Sequence, residues 1–266
     1  MQPAAPRPVA FVLAATDHGP MILCRNDYHM LAPGQGMGVG YQLLASSSFD
    51  AQEVRGVLEL LAMRRTDFGD GVVALDCGAN IGVHTIEWAR AMSGWGRVMA
   101  FEAQERIFYA LAGNIAVNNC GNATATWAAL GAQAGVMKIP ELDFDRPASF
   151  GSLELRPRAE GVEFVGQVVD YAALVKAVRM LAIDDLALER LDLIKIDVEG
   201  MELEVLAGAA QSIRRHRPMM VVETLKSGSQ PILDWLAPLG YRTWQWGINL
   251  LAIHEGDPSS RNVAIV

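Results

Sequence analysis

The chain has 266 residues, enough for one large α/β domain with an extension or for two small domains, and 51% of them are hydrophobic. No apolar run approaches the ~20 residues of a membrane span, so no membrane partner is expected. A net charge of −8 and a pI near 5.1 argue against nucleic acid, whose binding is driven by neutralising phosphates. Residues 1–8 are rich in Pro and Ala and read as loose; with one Arg and a brief apolar run after it, the N-terminus makes a poor signal peptide, and a cytoplasmic location is expected. Val9–Ala14 and Met21–Cys24 flank a turn at Asp17-His18-Gly19-Pro20, which predicts a β-hairpin. Between Gly34 and Gly40 glycine recurs at every other position; with no helix or Lys predicted after it, this is no phosphate loop but a flexible segment near the site entrance. A helix is predicted from Asp50, with Asp50 as cap, Glu53 at the capping-box position, and Val54, Val57, Leu58 and Leu61 as its apolar stripe. Residues 1–69 thus read as an N-terminal extension to a domain over 70–266.

That domain opens with Val72-Val73-Ala74-Leu75-Asp76-Cys77-Gly78-Ala79-Asn80-Ile81-Gly82, an apolar strand, a tight glycine turn and then a helical pattern (Ile81, Ile86, Trp88, Ala89, Met92). In an open α/β sheet such a turn lies at the carboxyl ends of the strands, where these folds bind ligands. The dinucleotide fingerprint G-x-G-x-x-G fails, because its positions hold Gly78, Asn80 and Val83, and no Gly-Lys-Ser/Thr completes a P-loop. Asp76 on the strand end suits a ligand with a cation near the turn, such as the ammonium and sulfonium of S-adenosylmethionine, and would repel a pyrophosphate. The bend offers Gly78, Ala79, Asn80 and Gly82 for close approach, and Thr85, in the first turn of the helix, is read as a donor to the cofactor carboxylate. The next apolar strand ends in Glu102, about where an acid meets ribose hydroxyls in nucleotide-binding α/β folds. Cys24, Cys77 and Cys120 lack C-x-x-C spacing, so neither a disulfide framework nor a zinc site is indicated; Cys77 reads as a small buried filler.

A helix over 105–119 and a strand over 123–130 follow. Residues 131–170 form an insertion, with strands expected at 135–139 and 162–169 around a long loop, 140–161. A loop of this length is usually functional or disordered; Pro147-Ala148-Ser149-Phe150-Gly151-Ser152-Leu153 suits a cover over cofactor and substrate, and a surface β-arm for dimer contacts is the equal alternative. Strands are then expected at 178–183, 193–198 and 218–225, a helix at 201–216, and a final antiparallel pair at 241–246 and 250–254, with 262–266 as a further edge strand.

Leu193-Ile194-Lys195-Ile196-Asp197-Val198-Glu199-Gly200-Met201-Glu202, followed by Pro218-Met219-Met220-Val221-Val222-Glu223, joins Asp76-Cys77-Gly78-Ala79-Asn80-Ile81-Gly82 and Ala100-Phe101-Glu102-Ala103 in a pattern that closely resembles the FkbM family of S-adenosylmethionine-dependent methyltransferases. The likeness covers roughly residues 70–225, and the Lys-Ile-Asp-Val-Glu-Gly block is its most specific part. The resemblance implies an α/β fold, a doubly wound, mostly parallel seven-stranded Rossmann-like sheet of the class I methyltransferases, S-adenosylmethionine as cofactor, and O-methylation of a small molecule or carbohydrate. It also implies that Ala129 and Leu130 pack over the adenine, and that the N-terminal elements help cover the substrate. An Asp found at the 130 position in many methyltransferases is replaced here by Leu130-Gly131, which leaves adenine recognition to backbone contacts.

For the chemistry, Asp197 and Glu199 straddle the end of one strand and Glu223 ends another. Strand alternation puts Lys195 and Asp197 on one side. Asp197 is expected to accept the acceptor's proton or orient it, with Glu199 and Glu223 positioning it. Alternatives stand beside this: Glu199 as a helix cap, Lys195 as a simple counter-ion, His84 as a packed or solvent-facing residue, and the acids as ligands of a divalent metal, which is possible but not indicated. A non-catalytic SAM- or nucleotide-binding domain that serves as a protein-interaction module is the rival function, and an NAD oxidoreductase is a distant third. The acceptor's identity and any homo-oligomer are open.

Overall fold

The computed structural model describes residues 8–158, 161–173 and 175–261; the edge strand expected at 262–266 lies outside them. The chain opens with the hairpin β1 (Phe11–Thr16) and β2 (Gly19–Cys24), turning through Asp17-His18 alone. The glycine-rich segment differs from the flexible stretch expected. Gln35–Met37 form β4, paired with β3 (His29–Ala32), and a helix, α1 (Val39–Ser46), follows at once. The cause is tertiary: buried Asp27 accepts the Gly40 N–H at 2.8 Å and so holds the helix start from outside.

Helix α2 (Ala51–Phe68) buries Val54, Val57 and Leu61 of the expected stripe, together with Leu60. Its expected capping box is not made. Asp50 adopts φ 37°, ψ 49° and gives no side-chain bond to the helix N–H groups, while Glu53 reaches His84 and Asn249. The remaining elements are β5 (Val72–Cys77), α3 (Val83–Ala91), β6 (Gly96–Glu102), α4 (Glu105–Val117), β7 (Ala123–Trp127), β8 (Ala129–Leu130), β9 (Gly135–Ile139), β10 (Lys176–Leu181), β11 (Leu193–Ile196), α5 (Glu202–Gly208), α6 (Ala210–His216), β12 (Met219–Glu223), α7 (Ser229–Leu236), β13 (Tyr241–Trp246) and β14 (Asn249–His254).

Seven strands make one sheet in the order β13-β14-β12-β11-β5-β6-β7. Every pairing from β12 through β7 is parallel, and β14 runs antiparallel to both of its neighbours. The expected strand over 123–130 breaks at Ala128. Its second half, β8, leaves the main sheet for a small one with β10 and β9. Residues 162–169 form no strand, and the helix expected over 201–216 is interrupted at Ala209.

Strand parity sorts the core into two layers. Ala74, Val98, Leu193, Met219 and Val221 face α2, α3 and α4, whereas Leu75, Phe101, Ile194, Ile196 and Val222 face α5, α6 and α7. By the same alternation Asp76, Lys195 and Glu223 belong to the first face, which α2 and α3 cover. Beneath that face, at the far end of α2, Arg64 is buried between Asp192 and Asp257. Breaking such a buried pair leaves unpaired charge. Arg64→Ala should therefore cost about 3–5 kcal/mol of unfolding free energy in chemical denaturation, and a loss below about 1 kcal/mol would contradict this role.

Candidate active site

The strand order steps outward from β5 in both directions, so the crevice at the carboxyl ends of β5 and β11 is the switch point of the sheet. A cavity of about 330 Å³ opens there, within the usual size of ligand sites. Asp76, Gly78, Ala79, Asn80, Gly82, Glu102, Ala129, Leu130, Asp197, Glu199 and Glu223 all line it. Thr85 does not; it is fully buried and donates to the Asp76 carboxylate at 2.6 Å, so it fixes that acid rather than reaching a ligand.

Lys195 stands opposite Asp76 in the β11–β5 register, and the Asp197 N–H donates to the Cys77 carbonyl at 3.0 Å. This brings Gly78 against the backbone of Asp197. Gly78 has φ +83°, and a Cβ there would lie 1.8 Å from the Asp197 carbonyl oxygen, so only glycine closes this bend. Asn80 continues it in the left-handed region, with its side-chain oxygen accepting the Ile81 N–H. The Glu102 carboxylate accepts the Asn80 N–H with one oxygen and the Gln104 N–H with the other, at 3.0 and 2.7 Å. Burial pushes it up to about 7 despite those bonds.

The Lys195 ammonium is buried and donates to Asp197 at 2.8 Å. Burial opposes its charge, but Asp197, Glu53 and Asp76 outweigh that penalty and hold it well above the usual lysine range. Glu199 is no helix cap. Its backbone is left-handed and its carboxylate pairs with Lys226, while Glu202 accepts the N–H groups of Val198 and Gly200. Burial, then the charge of Asp197, raises Glu199 well above the carboxylate range. Glu223 is 6% exposed, and its Oε2 has no hydrogen-bond partner among the described residues. Burial and the neighbouring Asp197 push it up to about 8.

Three residues that join the site carried no signal as site residues. Glu53 had the pattern of a capping box, yet it binds His84 at 3.2 Å and Asn249 at 2.9 Å, and Asn249 is the cross-strand partner of Glu223. Burial alone would raise Glu53, but the His84 bond and the charge of Lys195 bring it down to about 2. His84 is thus a packed residue of the wall. Lys226 donates to the Ser152 carbonyl at 2.8 Å, and Asp27 accepts the Phe150 N–H at 3.0 Å. Together with the bond from Gln104 to the Phe150 carbonyl, they pin residues 149–153 over the cavity as its roof. Gly151 presses against Asn80 there, where a Cβ would lie 2.5 Å from the amide nitrogen. Ser149, Gly151, Ser152 and Leu153 of this loop line the cavity. Among the described residues no group of three or more His, Cys, Asp or Glu is arranged to hold a metal ion, and no helix is long and apolar enough to cross a membrane.

The sequence model of the Methyltransferase FkbM domain matches residues 76–243, from Asp76 near the end of β5 into β13. The chain belongs to the FkbM methyltransferase family. Methyltransferase sdnD of Sordaria araneosa is 32% identical over 182 residues, which cover 61% of this chain and 70% of that protein. Among solved structures, methyltransferase FkbM from Methylobacillus flagellatus KT is 19% identical with a TM-score of 0.46, over 69% of this chain and 43% of that one, so this chain matches less than half of that protein's length. Fibrillarin of Aeropyrum pernix, solved with S-adenosyl-L-methionine, is 10% identical with a TM-score of 0.40, over 74% of each chain. The FkbM match leaves out β1–β4, α1 and α2, so Asp27 and Glu53 lie outside it.

Glu102 and Glu223 bind protons more tightly in the folded chain than in the unfolded one, where both lie near 4.5. Unfolding therefore releases protons between those values, and stability falls as pH rises through that window. The melting temperature should be higher at pH 6 than at pH 8, with each group adding up to about 1.4 kcal/mol per pH unit inside its window. A flat or rising profile over this range would contradict the burial of these two acids.

Proposed function

We propose that this FkbM domain transfers a methyl group from S-adenosylmethionine to a hydroxyl oxygen of a small molecule or carbohydrate. One observation carries the reading: the glycine bend with Asp76 and Glu102, and the acids Asp197 and Glu223, line one cavity under one roof. The residues suit this donor. Gly78 leaves the bend bare of side chain, and the Glu102 oxygens, held by backbone N–H groups, keep a lone pair for a hydroxyl donor. Asp76, Ala79, Asn80 and Gly82 would hold the amino-acid end, and Ala129 and Leu130 would pack on the base. When bound, S-adenosylmethionine supplies an electrophilic methyl on a sulfonium sulfur.

The chain must hold the acceptor in line with that methyl, exclude water and take up a proton. The roof residues Ser149, Gly151, Ser152 and Leu153 cover the cavity. Asp197 has one oxygen fixed by Lys195, which suits it to orient the acceptor hydroxyl. Glu199, locked to Lys226, shapes the rim. Glu223 has an unpartnered oxygen and a proton affinity close to neutrality, the properties of a general base. As the acceptor oxygen bonds to the methyl carbon and the carbon–sulfur bond breaks, the hydroxyl proton passes to Glu223. The products are a methyl ether and S-adenosylhomocysteine.

The test uses S-adenosylmethionine with a labelled methyl and a panel of sugar and phenol acceptors. Turnover should rise with pH to an inflection near 8, where Glu223 ionises. Glu223→Gln should lower kcat by about 10²–10⁴-fold, erase that inflection and leave donor affinity near wild type. Transfer to nitrogen or carbon instead, or an unchanged profile in the variant, would refute the assignment.

A further inference from the structure

Asp76 and Glu102 are given to the donor in the reading above, yet the same cavity is lined by six further carboxylates: Asp50, Glu53, Glu163, Asp197, Glu199 and Glu223. Two lysines line it with them, and both are engaged. Lys195 is tied to Asp197, and Lys226 to Glu199 with Glu163 beyond. His84 is bound to Glu53. Three acids remain without a lysine bonded to them around the start of α2 and the end of β12. Glu223 has a buried oxygen with no partner. Asp50 occupies a helix-cap position in a left-handed backbone and makes no cap bond, although a capping Asp is normally worth about 1 kcal/mol to a helix. Glu53, on the next turn, is held by His84 and Asn249 so that its charge persists. Asp50 and Glu223 are both raised, Asp50 by burial and the charge of Glu53, Glu223 by burial and the charge of Asp197.

Carboxylates crowded around one cavity repel one another unless a cation shares the space. The donor has its own acids in Asp76 and Glu102, so the remaining ones are addressed to the other ligand. We infer that the acceptor carries an ammonium group, which sits at the Asp50–Glu53 corner of α2 while its hydroxyl faces Glu223: a hydroxylated amine such as an amino sugar or aminocyclitol. This rests on the methyltransferase reading and names the acceptor class of the same site. The arrangement also disfavours phosphorylated and carboxylated acceptors, because no lysine lining the cavity among the described residues is left to meet an anion. Asp50 and Glu53 precede the residues matched by the FkbM model, so this corner is an attribute of the chain's own N-terminal part.

The test is a calorimetric titration of the full chain, first with S-adenosylhomocysteine and then, on the saturated protein, with glucosamine, N-acetylglucosamine and glucuronate. Glucosamine should bind at least about tenfold more tightly than N-acetylglucosamine, and glucuronate should not bind. The preference should weaken with added salt and fall below about threefold in Asp50→Asn and in Glu53→Gln, whose S-adenosylhomocysteine titrations report whether the donor site is intact. Binding of S-adenosylhomocysteine with equal or better binding of the neutral or anionic sugar overturns this inference alone, as does no response to glucosamine at millimolar concentration. Failure of S-adenosylhomocysteine to bind overturns the functional reading and this one with it.

Discussion

One buried ammonium holds the site together. Lys195 lies in the middle strand of the sheet, on the face covered by α2 and α3, and three carboxylates from three elements converge on its charge: Asp197 just past its own strand, Asp76 from β5 and Glu53 from α2. Alone, an ammonium in that position would shed its proton; with these neighbours it keeps it. Everything beyond β11 follows from the one charge being already spent. Glu199 takes Lys226 as its own partner, and Glu223 is left without one. A crevice at the switch point of a parallel sheet is thus rich in carboxyl groups, and the bare bend at Gly78 gives a ligand access to it.

The second constraint is the roof. Phe150 is fully buried and stacks on Phe144 at 4.2 Å, which anchors an otherwise irregular loop to the hydrophobic core. Its backbone is tied at three points, by Asp27, Gln104 and Lys226, each from a different part of the chain. Asp27 also holds the start of α1, so the N-terminal elements and the loop are coupled through one buried carboxylate. The cavity is consequently walled by the family's domain and closed by parts that include residues outside it.

Much of this was legible in the residues. The apolar strand ending at Asp76, its glycine bend, the acid at Glu102 and the Lys-Ile-Asp-Val-Glu-Gly run locate the sheet ends and bring eleven of twelve named residues to the cavity. Local pattern suffices there, because strand parity and tight turns are set by neighbours in sequence. It fails where a long-range partner decides. Glu53 has the spacing of a cap but serves His84 and Asn249, some 30 and 196 residues away. Thr85 sits where a ligand donor would, yet Asp76 claims it. The helix after the glycine-rich segment depends on Asp27, and the break after Trp127 depends on β10 capturing β8. In each case the competing partner lies outside the local helix or strand pattern and leaves no mark in it.

The most direct measurement of the central claim is the affinity of the purified protein for S-adenosylhomocysteine, compared with that of a Glu102→Gln variant whose fold is verified by its melting transition. The account predicts saturable one-to-one binding, weakened about tenfold or more in the variant by loss of the charged acceptor on β6. No binding by the wild-type protein, or equal binding by both, would contradict it.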